Sequence, residues 1–363
     1  MTIVTSDILP AHWLAVALDA PRVFGSPCGS AELRQQPEDF RVDERLSFEP
    51  AGSGSHVLLH IEKRDANTVW VAKKIAEAAR IRVHDVGFAG LKDRHAVTRQ
   101  WFSVPARGRS AASWEGFSGE GFTVQAASLH NRKLPRGALK GNRFRIVLRD
   151  VQGPKEVFES RLKEMATHGI ANYFGPQRFG RDAGNLRALS EALASSPRPG
   201  DRSIGWLIST ARSVLFNAVL AERIRLRNWQ SLLQGERANL DGSNSSFVVE
   251  TVDETIKERL ARLDIHPTGP LFGNGSKVVL GGEIAALESR LLGEYVDVQH
   301  WLSAVDAEAA RRPLRARVED LQYQWLEEGA GLELQFSLRS GSFATALLRE
   351  LIEVSDMLPE GMD

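Results

Sequence analysis

The sequence predicts an α+β fold. Short strands with period-2 alternation fill residues 31–149, a helix-rich stretch occupies 184–230, and an alternating strand followed by a helix closes the chain. No regular βαβ rhythm links them, which separates this pattern from a doubly wound sheet.

Phe40 and Val42 alternate with Arg41 and Asp43, Gly52-Ser53-Gly54-Ser55 makes a turn, and Val57, Leu59 and Ile61 share the next apolar face. Asp65 or Asn67 is placed to cap a helix through Arg80, with Ala72, Ile75, Ala76 and Ala79 on one side. Val83 to Ala89 reads as a strand running into a loop at Gly90, and Gln100 to Val104 as another. In the strand from Arg143 to Arg149, Phe144, Ile146 and Leu148 face one way and Arg143, Arg145 and Arg149 the other. Glu156 to Thr167 is helical. Leu186, Leu189, Leu193, Leu215, Val219 and Ile224 mark helices, and 231–300 carries short strand signals at Ser246–Thr251 and Lys277–Leu280. Residues 304–312 read as helix. Leu332, Leu334, Phe336 and Leu338 form the closing strand, after which Ser342 caps a helix with Leu347, Leu348, Leu351 and Ile352 on its face.

The chain has 363 residues, which suggests two domains and a core that needs no staples. One cysteine, Cys28, excludes an intrachain disulfide and a zinc-finger set, and fits a reducing cytoplasm. No apolar run approaches the roughly 20 residues that span a membrane. The opening MTIVTSDILPAHWLAVALDA has no basic region and carries Asp7 and His12, so it does not read as a signal peptide. His56 and His60 lack a third ligand, and Gly269–Ser276 lacks the Gly-Lys-Ser/Thr ending of a phosphate loop, so neither a metal nor a nucleotide cofactor is expected.

Forty-six basic and 46 acidic residues give a formal net charge of zero, against a protein that simply coats itself in nucleic acid. The distribution is uneven. His130–Arg149 carries seven basic residues and no acid, whereas Glu350–Asp363 carries only acids. That is either a set of scattered solvated faces or a phosphate-binding surface with the acids turned away. Zero net charge and the lack of a heptad seam favour a monomer.

Three segments could carry chemistry. Gly87–Gln100 ends a strand in a loop that presents Lys92, Asp93, Arg94 and His95 together. A carboxylate between two cations is favoured in its ionised form and suits a nucleophile or charge stabiliser. On spacing alone, a turn or cap role for Asp93 is the plainer reading. In Leu139–Phe144, Asn142 precedes a strand whose polar face is arginine; it is either a turn residue or an amide that meets a base edge while the cations hold phosphates. In Asn172–Arg181, aromatics interleave with Arg178 and Gln177, which suits stacking on unpaired bases or a buried aromatic corner.

Together and in this order, the segments resemble the TruD family of tRNA pseudouridine synthases. The matching stretches are Gln36–Glu44; Gly54 and His56 leading to Lys63, Asn67 and Thr68; Gly90–Asp93 with Ala96, Thr98 and Gln100; Gly137–Phe144; Asn172–Gly180 with Asn185; and Gly341–Thr345. The stretch 231–315 matches least. The resemblance implies an enzyme that isomerises uridine to pseudouridine in tRNA, at position 13 in bacterial members. It implies a discontinuous catalytic domain, 1–167 plus 318–363, built on a mixed sheet with flanking helices, and an inserted α/β family-specific domain at 168–317. Asp93 matches the family's nucleophile. Phe40, Asn142 and Phe343 match substrate-contacting positions, with Phe144 beside them, and Arg34, Lys92 and Gln100 are supporting candidates. Many members carry a lysine a few residues before the Pro-Glu-Asp-Phe block. Arg34 stands there in this chain, and the two cations are not interchangeable.

The implied reaction breaks a C–N glycosidic bond, turns the uracil and joins C5 to the ribose. It needs no cofactor, and one carboxylate can serve by stabilising or capturing an oxocarbenium-like sugar; attack by Asp93 on the sugar, attack on the base and later proton transfer alone are the three alternatives. Extruding the nucleotide costs a few kcal/mol, which aromatic stacking of about 1–3 kcal/mol per base offsets. At least one of Phe40, Phe144 and Phe343 is therefore expected against the uracil, and Asn142 in a hydrogen bond to the nucleotide. Arg132, Lys133, Arg136, Lys140, Arg143 and Arg145 are expected on tRNA phosphates. The rivals are an RNA-binding module without catalysis and a nucleoside or glycoside hydrolase; the latter usually needs a second carboxylate, and none stands near Asp93 in the sequence.

Overall fold

The structure is a computed structural model that describes residues 9–194, 202–275, 280–327 and 331–353. It divides into two compact units.

One unit, residues 29–155 and 318–341, is built on a ten-stranded mixed sheet. Its strands are β1 (Ser30–Leu33), β2 (Phe40–Leu46), β3 (His56–Arg64), β4 (Gly87–Phe88), β5 (Val97–Pro105), β6 (Ser118–Gly119), β7 (Phe122–His130), β8 (Leu139–Gln152) and the segments Glu319–Trp325 and Leu332–Arg339. The order is Glu319–Trp325, Leu332–Arg339, β8, β2, β5, β3, β7, β6, with β1 beside β8 and β4 beside β5. All pairs are antiparallel except β2 and β5. The closing strand pairs with β8 from Leu332↔Leu148 to Arg339↔Gly141, so the sheet is assembled from two separated stretches of the chain. Gly141 is required there, because a Cβ would meet the Leu338 carbonyl.

The α-helix Thr68–Ala79 covers one face of this sheet. Asn67 Oδ1 caps it by accepting from the amides of Val69 and Trp70, so Asn67 rather than Asp65 starts the helix. Its Val71, Ala72, Ile75 and Ala76 pack on Val57, Leu59 and Ile61 of β3 and on Phe102 and Val104 of β5. The strand expected at Val83–Ala89 is a 3₁₀ turn, Val83–Asp85, followed by the two residues of β4.

The other unit comprises residues 9–28, Glu156–Arg317 and residues 342–353. The helix Gly205–Arg225 is its axis, buried on most sides and packed by the helices Ala11–Leu18 and Gly184–Leu193. The division shares the expected boundary at 318 and otherwise falls at 28/29, 155/156 and 341/342, not at 167. Trp13, Val16 and Ala17 join the core of Val214, Phe216 and Leu220, and Arg161 donates to the Glu350 carbonyl. The first helix, 156–167 and the closing helix accordingly group with the segment expected as an insertion. Residues 304–312 are also not the expected helix: the helix Val296–Ala304 ends where it should begin, and Ala310–Pro313 is a strand paired with Thr268–Leu271. The closing helix is only Ala344–Leu348, and Phe343 rather than Ser342 holds its N-cap position. Lys277–Val279 of the expected strand and the acids Asp356, Glu360 and Asp363 lie outside the described residues. Among the described residues no helix is long and apolar enough to cross a membrane.

Candidate active site

Period-2 alternation brings a polar cluster to one end of the sheet face covered by the Thr68–Ala79 helix. The face that carries Val57, Leu59 and Ile61 continues on β3 to Lys63, and on β5 the face of Phe102 and Val104 continues back to Gln100 and Thr98. All three polar residues are buried. Above them lies the loop 89–96, and they hold it. Gln100 Nε2 donates to the Gly90 carbonyl at 2.6 Å, while its Oε1 accepts from the Thr68 hydroxyl. That hydroxyl oxygen in turn accepts from the Lys92 amide at 3.1 Å. Lys63 Nζ donates to the Asp93 main-chain carbonyl at 2.6 Å.

The loop is also tied through side chains. Lys92 Nζ reaches Glu44 Oε1 at 2.7 Å in a nearly dry ion pair, and Glu44 Oε2 accepts from the Trp101 amide. His95 pairs with Asp65 at 2.8 Å. The cation on Asp93 is therefore not a sequence neighbour. Lys92 is engaged elsewhere and Arg94 is exposed, and Arg34 Nη2 meets Asp93 Oδ1 at 3.1 Å. The Asp93 side chain remains 31% exposed, open to a substrate, whereas that of Arg34 is 10% exposed.

Arg34 takes up a left-handed backbone (φ 63) just past the end of β1, a conformation that costs a side-chain-bearing residue about 1–2 kcal/mol. Its guanidinium lies 4.1 Å over the Phe40 ring. Phe40 is placed by the turn Pro37–Asp39 before it. Burial alone would raise the Asp39 carboxyl, but hydrogen bonds from Arg149 and Gln36 outweigh it and hold the carboxyl below its usual range.

Phe40 is buried, 6.3 Å edge-on from Phe144, and Phe144 stacks on Phe336 at 5.2 Å. Phe144 is thus a filler of the sheet core. Asn142, directly across from Glu44 and Leu338, has a buried Oδ1 with no hydrogen-bond partner. Such an orphaned acceptor is costly unless a ligand meets it.

Phe343 belongs to the other unit. It lines a cavity of about 210 Å³ with Gln177, Arg178, Asn185, Trp206 and Thr345. Of the aromatics expected to stack on bases, Tyr173 and Phe179 are buried in that unit's core, so the plainer reading holds for them. Phe174 is half-buried, with the guanidinium of Arg312 4.1 Å over its ring.

Of the expected phosphate contacts, Arg132, Lys140 and Arg143 are exposed and not ion-paired among the described residues. Lys133 is exposed and donates to the His84 carbonyl, and the Arg136 guanidinium lies 3.8 Å over Phe88. Arg145 is tied to Glu333 at 2.6 Å. Of the residues expected from the sequence, Asp93, Arg34, Lys92 and Gln100 lie in or against this loop, and Lys63, Thr68 and Glu44, to which no role was assigned, join them. A polar residue at a buried position of an alternating strand was the available signal for Lys63 and Glu44.

The comparisons agree with this architecture. A family model described as tRNA pseudouridine synthase D (TruD) matches residues 23–196 and 205–351, including the stretch that motif reading matched least. The tRNA pseudouridine synthase D of Methylococcus capsulatus is 44% identical, over 92% of this chain and 94% of its own. That of Xanthomonas axonopodis pv. citri is also 44% identical, over 93% of this chain and 95% of its own. A crystal structure described as a putative tRNA pseudouridine synthase D from Methanosarcina mazei superposes with a TM-score of 0.71 over 96% of this chain and 99% of that one. At 19% identity that is a likeness of fold. Fold and matches place the chain among the pseudouridine synthases. Within them, it belongs to the TruD family.

Proposed function

We propose that the chain isomerises uridine to pseudouridine in tRNA, at position 13, with Asp93 as its catalytic carboxylate. One observation carries the reading: a part-exposed carboxylate faces Arg34 on a loop whose backbone and side chains are otherwise held from below. Such a group is positioned before the substrate arrives. The C1′–N1 bond of the uridine breaks, the uracil turns, and C1′–C5 forms; N1 gains a proton and C5 loses one, so no oxidant or group donor enters. Asp93 meets the positive charge that develops at C1′.

The unit built on the ten-stranded sheet is the catalytic domain in this reading. Phe40 supplies a ring beside Asp93's partner Arg34, and the orphaned Asn142 oxygen takes a donor from the nucleotide; Phe343 is a substrate contact on the strength of its match to the family pattern. Arg132, Lys140 and Arg143 hold tRNA phosphates, with Lys133 and Arg136 beside them in sequence. Arg145 contributes less, since Glu333 already occupies it. The protein acts as a cytoplasmic monomer without a cofactor.

The test is to incubate a tRNA transcript carrying uridine at position 13 with the protein and map pseudouridine by carbodiimide adducts and primer-extension stops. A single stop at that position supports the reading. No stop with the RNA still bound sinks it in favour of an RNA-binding module, and release of free uracil sinks it in favour of a hydrolase.

A further inference from the structure

Lys63 is a buried cation with an unusual set of partners. It continues the apolar face of Val57, Leu59 and Ile61 and is wholly buried. An ammonium there gives up its hydration, and a methionine would fill the place without that cost. Its donors go to two main-chain carbonyls, of Ala66 at 2.8 Å and of Asp93 at 2.6 Å. No carboxylate forms an ion pair with it among the described residues. The charge is therefore not kept to complete a salt bridge. What it secures is the backbone of the residue that carries the reactive carboxylate.

We infer that Lys63 is a positioning residue for the isomerisation: its ammonium fixes the main chain at Asp93 and so sets where the carboxylate meets the sugar. This rests on the reading of Asp93 given above. A charge-assisted hydrogen bond is about twice as strong as a neutral one, so a neutral amine at 63 holds the loop less firmly. Burial pushes Lys63 down to about 8, with Lys92 acting in the same sense and the charges of Asp93 and Asp65 opposing. Asp93 is in turn paired with Arg34, and Lys92 with Glu44. The positioning is in force below that pH and fades above it.

The experiment measures the single-turnover rate constant at saturating tRNA, from about pH 6.5 to 9.5, for wild type, Lys63→Met and Asp93→Asn, together with tRNA affinity. Wild type loses rate above about pH 8. Lys63→Met binds tRNA within about twofold of wild type, runs about 100-fold slower at neutral pH and lacks the limb near 8. The inference is overturned if Lys63→Met keeps its rate, if it retains the limb near 8, or if rate and affinity fall together as structural damage would make them. Should Lys63→Met fail to fold, the wild-type profile decides alone, because a rate constant flat to about pH 9 overturns the inference. The two readings fail separately: an active Asp93→Asn removes the role of Asp93, whereas an inactive Asp93→Asn beside a fully active Lys63→Met removes only that of Lys63.

Discussion

Arg34 Nη2 and Asp93 Oδ1 stand 3.1 Å apart, and the same guanidinium lies 4.1 Å above the Phe40 ring. One side chain thus orients the carboxylate and covers an aromatic face. Arg34→Ala should lower the single-turnover rate constant by about 100-fold, the scale of a misplaced reacting group. Arg34→Lys keeps the charge but loses the flat contact with Phe40, so its rate should fall between the two. Equal rates for Arg34→Ala and wild type would remove Arg34 from the site.

Phe144 should behave as a core residue. It is buried between Phe40 and Phe336. Phe144→Ala should cost about 3–5 kcal/mol in denaturant unfolding, as large-to-small changes in cores do. Activity should fall with the folded fraction. A stable but inactive Phe144→Ala would restore it to the substrate-contacting set.

Arg132, Lys140 and Arg143 should act on affinity. Neutralising any one should weaken tRNA binding and reduce the slope of log K against log salt by about one, with the rate constant at saturation little changed. Arg145→Ala should change the slope less, since Glu333 already engages that guanidinium. Titrations at several salt concentrations check both.

Stability should respond to pH through Lys63. Its folded-state value, pushed down by burial to about 8, lies below the roughly 10.4 of an unfolded lysine. Between those values the unfolded chain binds more protons, so stability rises with pH; below about 8 the cost of the buried charge is fully present. Relative to Lys63→Met, wild type should gain up to about 3 kcal/mol between neutral pH and about pH 10. Denaturant unfolding across that range checks it, and a constant difference between the two proteins contradicts it.

The strands of the sheet were legible because one face packs against a helix and alternation follows. Asp93 stands out only through the resemblance, since the spacing of its loop alone reads more plainly as a turn. Its true cation was not legible from that spacing: Arg34 lies 59 residues away, and only the pairing of β1 with β8 and the turn before Phe40 bring it close. Lys63 and Glu44 answer to Asp93 and Lys92 across 30 and 48 residues. The strand at Ala310–Pro313 was misread as helix because its partner, Thr268–Leu271, is also distant. The boundary at 318 is legible and coincides with the unit division, whereas the grouping of residues 9–28 and 156–167 with the following helices is not, because nothing near Trp13 or Arg161 announces the core or the carbonyl each meets.

The central claim is that Asp93 carries the chemistry. The most direct measurement is single-turnover conversion of a tRNA with uridine at position 13 by wild type and by Asp93→Asn, with binding measured in parallel. Asp93→Asn should bind the tRNA as wild type does and form pseudouridine at least about a thousandfold more slowly. Pseudouridine formed at a wild-type rate by Asp93→Asn would contradict the assignment.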